Sequence, residues 1–272
     1  MKIKSPYRWA GGKANQLHIL FPLLKPLIDK TQNYCEPFVG GGSVVLEVAE
    51  QYPNISLFIN DKNYNLYCFW KYISEENNFN ELFNLINQTA TLDLFYKLKT
   101  DTSTDILFSA YKSIFLNRTS FNGMGKNPIG GKEQKSKYTV DCRYNSKDIK
   151  NKILLCNELL KNRTTVSNED VIDYLKDKND LTYYIDAPYY LKGKELYQEW
   201  MQPQEHENLS KLLKLKDNFV ISYDNCDEIK KLYSDINYFS TQEIQVRYSI
   251  NGKKNNWKDN SELIITRANK TI

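Results

Sequence analysis

Tyr34-Cys35-Glu36-Pro37-Phe38-Val39-Gly40-Gly41-Gly42-Ser43-Val44-Val45-Leu46-Glu47-Val48-Ala49 is the stretch that decides the fold. Tyr34 to Phe38 reads as a short strand entering a glycine turn, and Ser43 to Ala49 as the helix that follows. The apolar run from Ile55 to Asn60 is a second strand, and it ends on an acid, Asp61. Strand, glycine loop, helix and strand within about 30 residues form the unit from which doubly wound sheets are built.

Outward from this unit, Leu17, Leu20, Leu24 and Leu27 or Ile28 recur at helical spacing, and Pro22 and Pro26 are expected to interrupt that helix. After residue 62 the pattern is mainly helical, with Leu82, Leu85 and Ile86, then Ile106 to Leu116, then Lys150 to Leu160. Alternation then returns: helix Asp170 to Lys176, strand Leu181 to Ile185, helix Gln204 to Leu215, strand Phe219 to Tyr223 and helix Asp227 to Tyr233. Two last strands, Ile244 to Ser249 and Leu263 to Arg267, are joined by a polar loop from Asn251 to Ser261. Strands and helices alternating on both sides of an insertion predict an α/β protein, one doubly wound sheet with an embedded, mostly helical second domain. The expected boundaries are 1–65 and 160–272 for the sheet domain and 66–159 for the insertion.

The chain has 272 residues, 41% of them hydrophobic and 26% charged, and no apolar run approaches the length of a membrane span. The N-terminus, Met1-Lys2-Ile3-Lys4-Ser5-Pro6, lacks the apolar stretch of a secretory signal, so a cytoplasmic location is expected. Cys35, Cys68, Cys142, Cys156 and Cys226 are scattered without a C-x-x-C pair, and His18 and His206 have no ligand-spaced partner. A disulfide framework, a zinc site and a His-based triad all lack parts, and each His reads as a surface or helix residue. The net charge of +4 is mild, but Arg118, Lys126, Lys132, Lys135 and Lys137 meet the single acid Glu133 in a stretch broken by four glycines. That segment reads as a mobile basic loop.

Four strings can carry chemistry. Asp186-Ala187-Pro188-Tyr189-Tyr190 brings an acid, a rigid proline and a ring to a strand end, which suits a flat, amine-bearing substrate and equally an ordinary strand-to-loop exit. The Gly40-Gly41-Gly42-Ser43 turn lets a backbone approach a nucleoside-bearing ligand closely, or is simply tight; it is neither a dinucleotide fingerprint nor a Walker loop. Asp61 stands where an acid accepts hydrogen bonds from ribose hydroxyls, unless it caps the next helix. In Tyr7-Arg8-Trp9-Ala10-Gly11-Gly12-Lys13, Lys13 can bind a carboxylate and Trp9 can form an apolar wall, while Asn117-Arg118 with Phe121, Asn122 and Lys126 interleaves amides, a ring and cations as nucleic-acid readers do. A solvated loop is the alternative for both.

Taken in order, Arg8-Trp9-Ala10-Gly11-Gly12-Lys13, Glu36-Pro37-Phe38-Val39-Gly40-Gly41-Gly42-Ser43, Asp61, Asn117-Arg118 with Asn122-Gly123, Asp186-Ala187-Pro188-Tyr189, and Arg247-Tyr248-Ser249-Ile250 with Glu262-Leu263 resemble the Dam-type adenine-N6 DNA methyltransferases, a D12-class group with the alpha order of motifs. The resemblance spans nearly the whole chain. It implies a mixed seven-stranded, Rossmann-like methyltransferase sheet, with 66–159 as a target-recognition domain. It implies S-adenosyl-L-methionine as cofactor, contacted by Tyr7, Trp9, Gly11, Lys13, Glu36, Phe38, Gly40, Gly42, Ser43, Asp61, Asp170 and Asp186. It makes Asp186, Ala187, Pro188 and Tyr189 the catalytic string. Arg8, Asn117, Arg118, Phe121, Asn122, Lys126, Lys132, Lys135 and Lys137 become DNA contacts, with no metal. Duplex DNA is the implied partner, GATC a candidate target and a cognate restriction endonuclease a candidate companion. Ala187 stands where the family carries Pro, so a slowed or non-catalytic DNA-binding homologue is one alternative and an RNA adenine methyltransferase another.

Overall fold

The computed structural model describes residues 4–9, 11–191, 193, 200–249 and 257–268, without the side chains of 247–249 and 257–260. Ala10 and Ile250, both within the motifs quoted above, and loop residues 251–256 lie outside the described residues.

The sheet has seven strands: β1 (Asn33–Glu36), β2 (Ser56–Asn60), β3 (Thr164–Ser167), β4 (Thr182–Asp186), β5 (Phe219–Asp224), β6 (Phe239–Ser249) and β7 (Trp257–Arg267), in the order β3-β2-β1-β4-β5-β7-β6. β1, β4 and β5 run parallel, and β7 runs antiparallel to both β5 and β6. This is the mixed, doubly wound α/β sheet that was expected. The order reverses between β1 and β4, and in such sheets the crevice outside the carboxyl ends of those two strands is where ligands bind.

Two details of the strands depart from expectation. β3 was not anticipated, because Thr164-Thr165-Val166-Ser167 is short, lies at the sheet edge and buries only Val166. β6 and β7 are longer than their apolar cores, pairing from Phe239↔Arg267 to Ser249↔Trp257. Backbone pairing does not require apolar side chains, so polar residues counted as loop continue the ladder.

By contact the chain forms two compact units. One comprises Asn15–Phe38, Phe58–Lys62 and Glu169–Ile272. Its first helix, α1 (Leu17–Thr31), runs unbroken through Pro22 and Pro26 and packs on β4 and β5. The interruption expected there does not occur, for a positional reason: both prolines are exposed, on the side opposite Leu20, Leu24 and Ile28, so the unpaired carbonyls one turn earlier face water. The core of this unit gathers Tyr183, Ile185 and Ala187 from the β4 segment, Phe219, Ile221 and Tyr223 from β5 and Leu263 and Ile265 from β7. Helices α8 (Val171–Lys176), α9 (Pro203–Leu213) and α10 (Asp227–Leu232) add Leu175, Leu209, Leu213 and Ile229.

The other unit comprises Met1–Ala14, Val39–Leu57 and Asn63–Asn168. It holds α2 (Ser43–Gln51), α3 (Tyr64–Glu75), α4 (Asn80–Ile86), α5 (Leu92–Thr100), α6 (Ile106–Thr119) and α7 (Ser146–Leu160). Side-chain caps start most of them: Asn63 accepts from the N–H groups of Asn65 and Leu66, Thr91 from Leu94, Asp105 from Phe108 and Asn145 from Asp148. α3 is the hub, packing on α6, α7 and β3, with Phe69 and Trp70 fully buried. The N-terminal arm and α2 thus cluster with the helices of residues 63–168.

His206 is a helix residue, one of the two readings the sequence offers, but a buried one. It is 1% exposed on α9, with Nδ1 2.6 Å from the Tyr223 hydroxyl. Burial holds its imidazole below the ordinary value of 6.5, with Asp224 and Glu205 opposing. A base whose folded pKa is depressed binds fewer protons folded than unfolded, so its contribution to stability is present above the unfolded value and lost as pH falls through the folded one. Urea unfolding followed from pH 8 downward is expected to show stability falling below about pH 6.5, with a shallower fall in His206→Gln.

Candidate active site

In the unit built on β4 and β5, the carboxyl ends of β4, β1 and β2 carry polar groups. Asp186 closes β4, half-buried, with its Cα opposite Ser222 of β5. Ala187 is 1% exposed and belongs to the core, so the backbone turns outward only at Pro188 and Tyr189. The Tyr189 hydroxyl donates to Glu262 Oε1 at 2.6 Å. Glu36 at the end of β1 is buried and accepts from the Tyr34 hydroxyl at 2.8 Å, and Phe38 packs against the core cluster. Asp61 follows β2 half-buried, and the capping role weighed for it is taken by Asn63. Asp170 has both carboxylate oxygens engaged: Oδ1 caps α8 through the Ile172 N–H, and Oδ2 meets Lys62 Nζ at 3.0 Å.

A residue that sequence reasoning passed over holds these ends together. Asn60, 1% exposed, donates through Nδ2 to the carbonyls of Pro37 and Glu169 and accepts the Glu169 N–H on Oδ1. A polar side chain closing an otherwise apolar strand was the available signal.

In the other unit the Gly40–Gly42 turn lies under two indoles. A Cβ on Gly40 or Gly41 would come within 3.2 or 3.0 Å of Trp9, and one on Gly42 within 2.5 Å of the Trp70 ring, whose Nε1–H donates to the Gly40 carbonyl. Gly40 and Gly42 also have φ of 45° and 68°, which glycine adopts at little cost. Tyr7 packs edge-on against Trp9 and Phe69, and its hydroxyl is 2.6 Å from Ser113 Oγ. Gly11, at φ 78°, accepts from Lys13 Nζ at 3.2 Å, and Lys13 is 2% exposed. Ser43 opens α2.

The DNA-contact candidates divide into two groups. Asn117 is buried: its Oδ1 accepts the Arg8 N–H, and its Nδ2 donates to the carbonyls of Arg8 and Gly123. Arg118 is turned inward, donating to the carbonyls of Arg143 and Pro6 and pairing with Asp148 at 3.4 Å. Burial lowers its pKa, with Asp148 opposing. In this arrangement both act as scaffold, holding the arm that carries Arg8. The exposed group is Phe121, at 57%, with Asn122, Lys132, Lys135 and Lys137, while Lys126 is half-buried.

The basic segment is also more ordered than the mobile loop expected. Phe121 N–H donates to Asn127 O, Ile129 N–H to Thr119 O, and the Gln134 side chain links Ile129, Gly131 and Val140. The glycines there serve turns, not freedom.

Among the described residues no group of His, Cys, Asp and Glu could hold a metal ion, and no helix is long and apolar enough to cross a membrane. The family profile of the D12 class N6 adenine-specific DNA methyltransferases matches residues 9–250. The chain belongs to this family. A curated relative by sequence, the Type II methyltransferase M.MjaIII of Methanocaldococcus jannaschii, is 29% identical over 208 residues, 70% of each chain. The matched range covers the motifs quoted above except Arg8, which precedes its start, and Glu262-Leu263, which lies beyond its end.

The D12 glycine turn yields a direct test. Gly42→Ala combines a positive φ with a collision against Trp70, whereas Gly131→Ala, at φ 72° with nothing within 4 Å, incurs the backbone strain alone. Gly42→Ala is expected to lower unfolding free energy by about 1–3 kcal/mol and more than Gly131→Ala, as read by urea denaturation.

Proposed function

We propose that the protein is a Dam-type, site-specific DNA methyltransferase that moves a methyl group from S-adenosyl-L-methionine to N6 of an adenine flipped out of duplex DNA. The observation that carries this reading is Asp186 at the carboxyl end of β4, beside the strand-order reversal, followed at once by a buried Ala187 and a tethered Tyr189.

Adenine N6 is a poor nucleophile because its lone pair is delocalised into the ring. Acceptors on its two N–H groups favour a tetrahedral nitrogen and return the pair to it. The Asp186 carboxylate supplies one acceptor and the Ala187 carbonyl the other, while Tyr189 stacks on the extruded base. Flipping costs a few kcal/mol, which that stacking and insertion of the exposed Phe121 ring into the vacated stack offset.

The cofactor, when bound, supplies an electrophilic methyl group. Trp9 and Trp70 pack where a Cβ on the turn would stand, and Gly40 and Gly42 hold positive φ, so the turn offers backbone without side chains of its own, which supports the fit. Trp9, Tyr7, Gly11 and Lys13 hold its methionine end, Gly40, Gly42, Ser43, Glu36 and Phe38 border it, and Asp61 accepts from its ribose. Asp170, already engaged by Lys62, contributes through the backbone turn it caps.

Arg8, Asn122 and Lys126 face the bases in this reading, with GATC the target to try first, and a restriction endonuclease is the companion that a Type II relative suggests. Ala187 keeps the carbonyl that the role requires, which favours activity over the slowed homologue.

Transfer of label from S-adenosylmethionine to duplex DNA tests the reaction. The natural sequence is expected to transfer it, duplex RNA to compete poorly, and Asp186→Ala to lose at least about a hundredfold in rate; no transfer by the natural sequence overturns the proposal. Replacing Lys132, Lys135 and Lys137 by Ala is expected to reduce the slope of log affinity against log salt, by up to about 2.7 if all three touch phosphate. Lys135 contributes least, being paired with Glu133 at 2.8 Å.

A further inference from the structure

Two carboxylates on neighbouring strands bracket the segment that leaves β4, and neither belongs to the catalytic string. Asp224 ends β5 and Glu262 lies opposite it on β7, their Cα atoms paired in the antiparallel ladder. Asp224 accepts the backbone N–H groups of Tyr190 and Leu191 on its two oxygens, at 2.9 and 3.0 Å. Glu262, 2% exposed, accepts the Tyr189 hydroxyl at 2.6 Å. Next to them Asn225 Nδ2 donates to Ser261 Oγ at 2.8 Å, joining the same two strands by their side chains.

A tyrosine ring attached only at Cα can swing about χ1 and χ2. Here the far end of the ring is fixed by Glu262 and the backbone just past its Cα by Asp224, so the plane of the ring is determined at both ends. Stacking on a base uses only the ring face, for which phenylalanine would serve; the hydroxyl therefore has another use. A carboxylate is costly to bury unless it is hydrogen-bonded, and this one receives a short, charge-assisted bond from that hydroxyl.

We infer that Glu262 is a positioning residue, whose buried carboxylate sets the angle at which the Tyr189 ring meets the target base. The inference rests on the proposed reading, in which Tyr189 stacks on adenine. It assigns the β6–β7 hairpin a part in the reaction, through one strand of the sheet and without any contact to substrate.

The test uses the full chain and two duplexes built on the site found by modification-sensitive sequencing: the natural one, on which single-turnover transfer is read, and one with 2-aminopurine in place of the target adenine, which has no N6 amine to methylate and reports the flipped base by its fluorescence. Tyr189→Phe removes only the hydroxyl, and Glu262→Ala only the acceptor. Each is expected to slow single-turnover transfer by roughly tenfold to a hundredfold, the cost of a misplaced reacting geometry, and to shift the 2-aminopurine fluorescence in the same direction. Cofactor affinity by calorimetry should stay within about twofold of the natural protein's, and the double variant should be no slower than the slower single one, as for two ends of one interaction. Glu262→Gln retains an acceptor and should restore the rate to within about threefold.

Tyr189→Phe at the natural rate overturns the inference, and it does so even if Glu262→Ala fails to fold. Multiplicative losses in the double variant overturn it as well, as does a Glu262→Gln variant as slow as Glu262→Ala, which would point to proton transfer through the carboxyl group. If the natural protein methylates no DNA, the functional reading has failed and this inference falls with it; natural transfer with unaffected variants removes the inference alone.

Discussion

The buried amide of Asn60 is the interaction on which the carboxyl end of the parallel strands depends. Its three hydrogen bonds join the end of β2 to the exit of β1 at Pro37 and to the approach to α8 at Glu169. Parallel strands leave their carboxyl ends as a row of unpaired peptide groups, and buried peptide groups must find partners. A single side-chain amide with two donors and an acceptor meets that demand at Pro37 and Glu169. Glu36, Asp61 and Asp170 each lie within a residue of one of the three tied segments, so the spacing of the acids follows from the tie.

The other unit solves a different problem. A turn of glycines carries no side chains of its own, so its shape is held from outside. Trp9 and Trp70 supply that hold, one stacked against the glycines and the other bonded to the Gly40 carbonyl. Asn117 and Arg118 perform the same service for the N-terminal arm, spending all their polar atoms on backbone carbonyls, one N–H and Asp148. Membership of the D12 class says what reaction these supports serve. The supports themselves are ordinary satisfaction of buried polar groups.

Much of this was legible in the chain. The strand, glycine turn, helix and strand of 34–61 was readable because its signals are local: alternation, glycines at positive φ, an acid at a strand end. The motif order pointed to the D12 class for the same reason, since each string is contiguous. β3 was not legible, because four mostly polar residues are drawn into a strand by their neighbour, not by their own pattern. The extra length of β6 and β7 was hidden likewise, and the two prolines of α1 misled because their effect depends on which side faces water.

The sequence by itself determined the family, the kinds of element and the residues able to do chemistry, since those depend on residue type and on near neighbours. Only the tertiary structure decided which of them are buried and bonded within the protein and which are exposed. Arg118 and Lys132 are both cations in one basic segment, yet the first is buried against Pro6, far away in the chain, and the second is exposed. Tyr189 and Glu262 are 73 residues apart, and they meet because β4 and β7 both pair with β5, in registers that set Asp186 beside Ser222 and Glu262 beside Asp224. Side chains point where packing sends them, and packing joins parts of the chain that local pattern cannot relate.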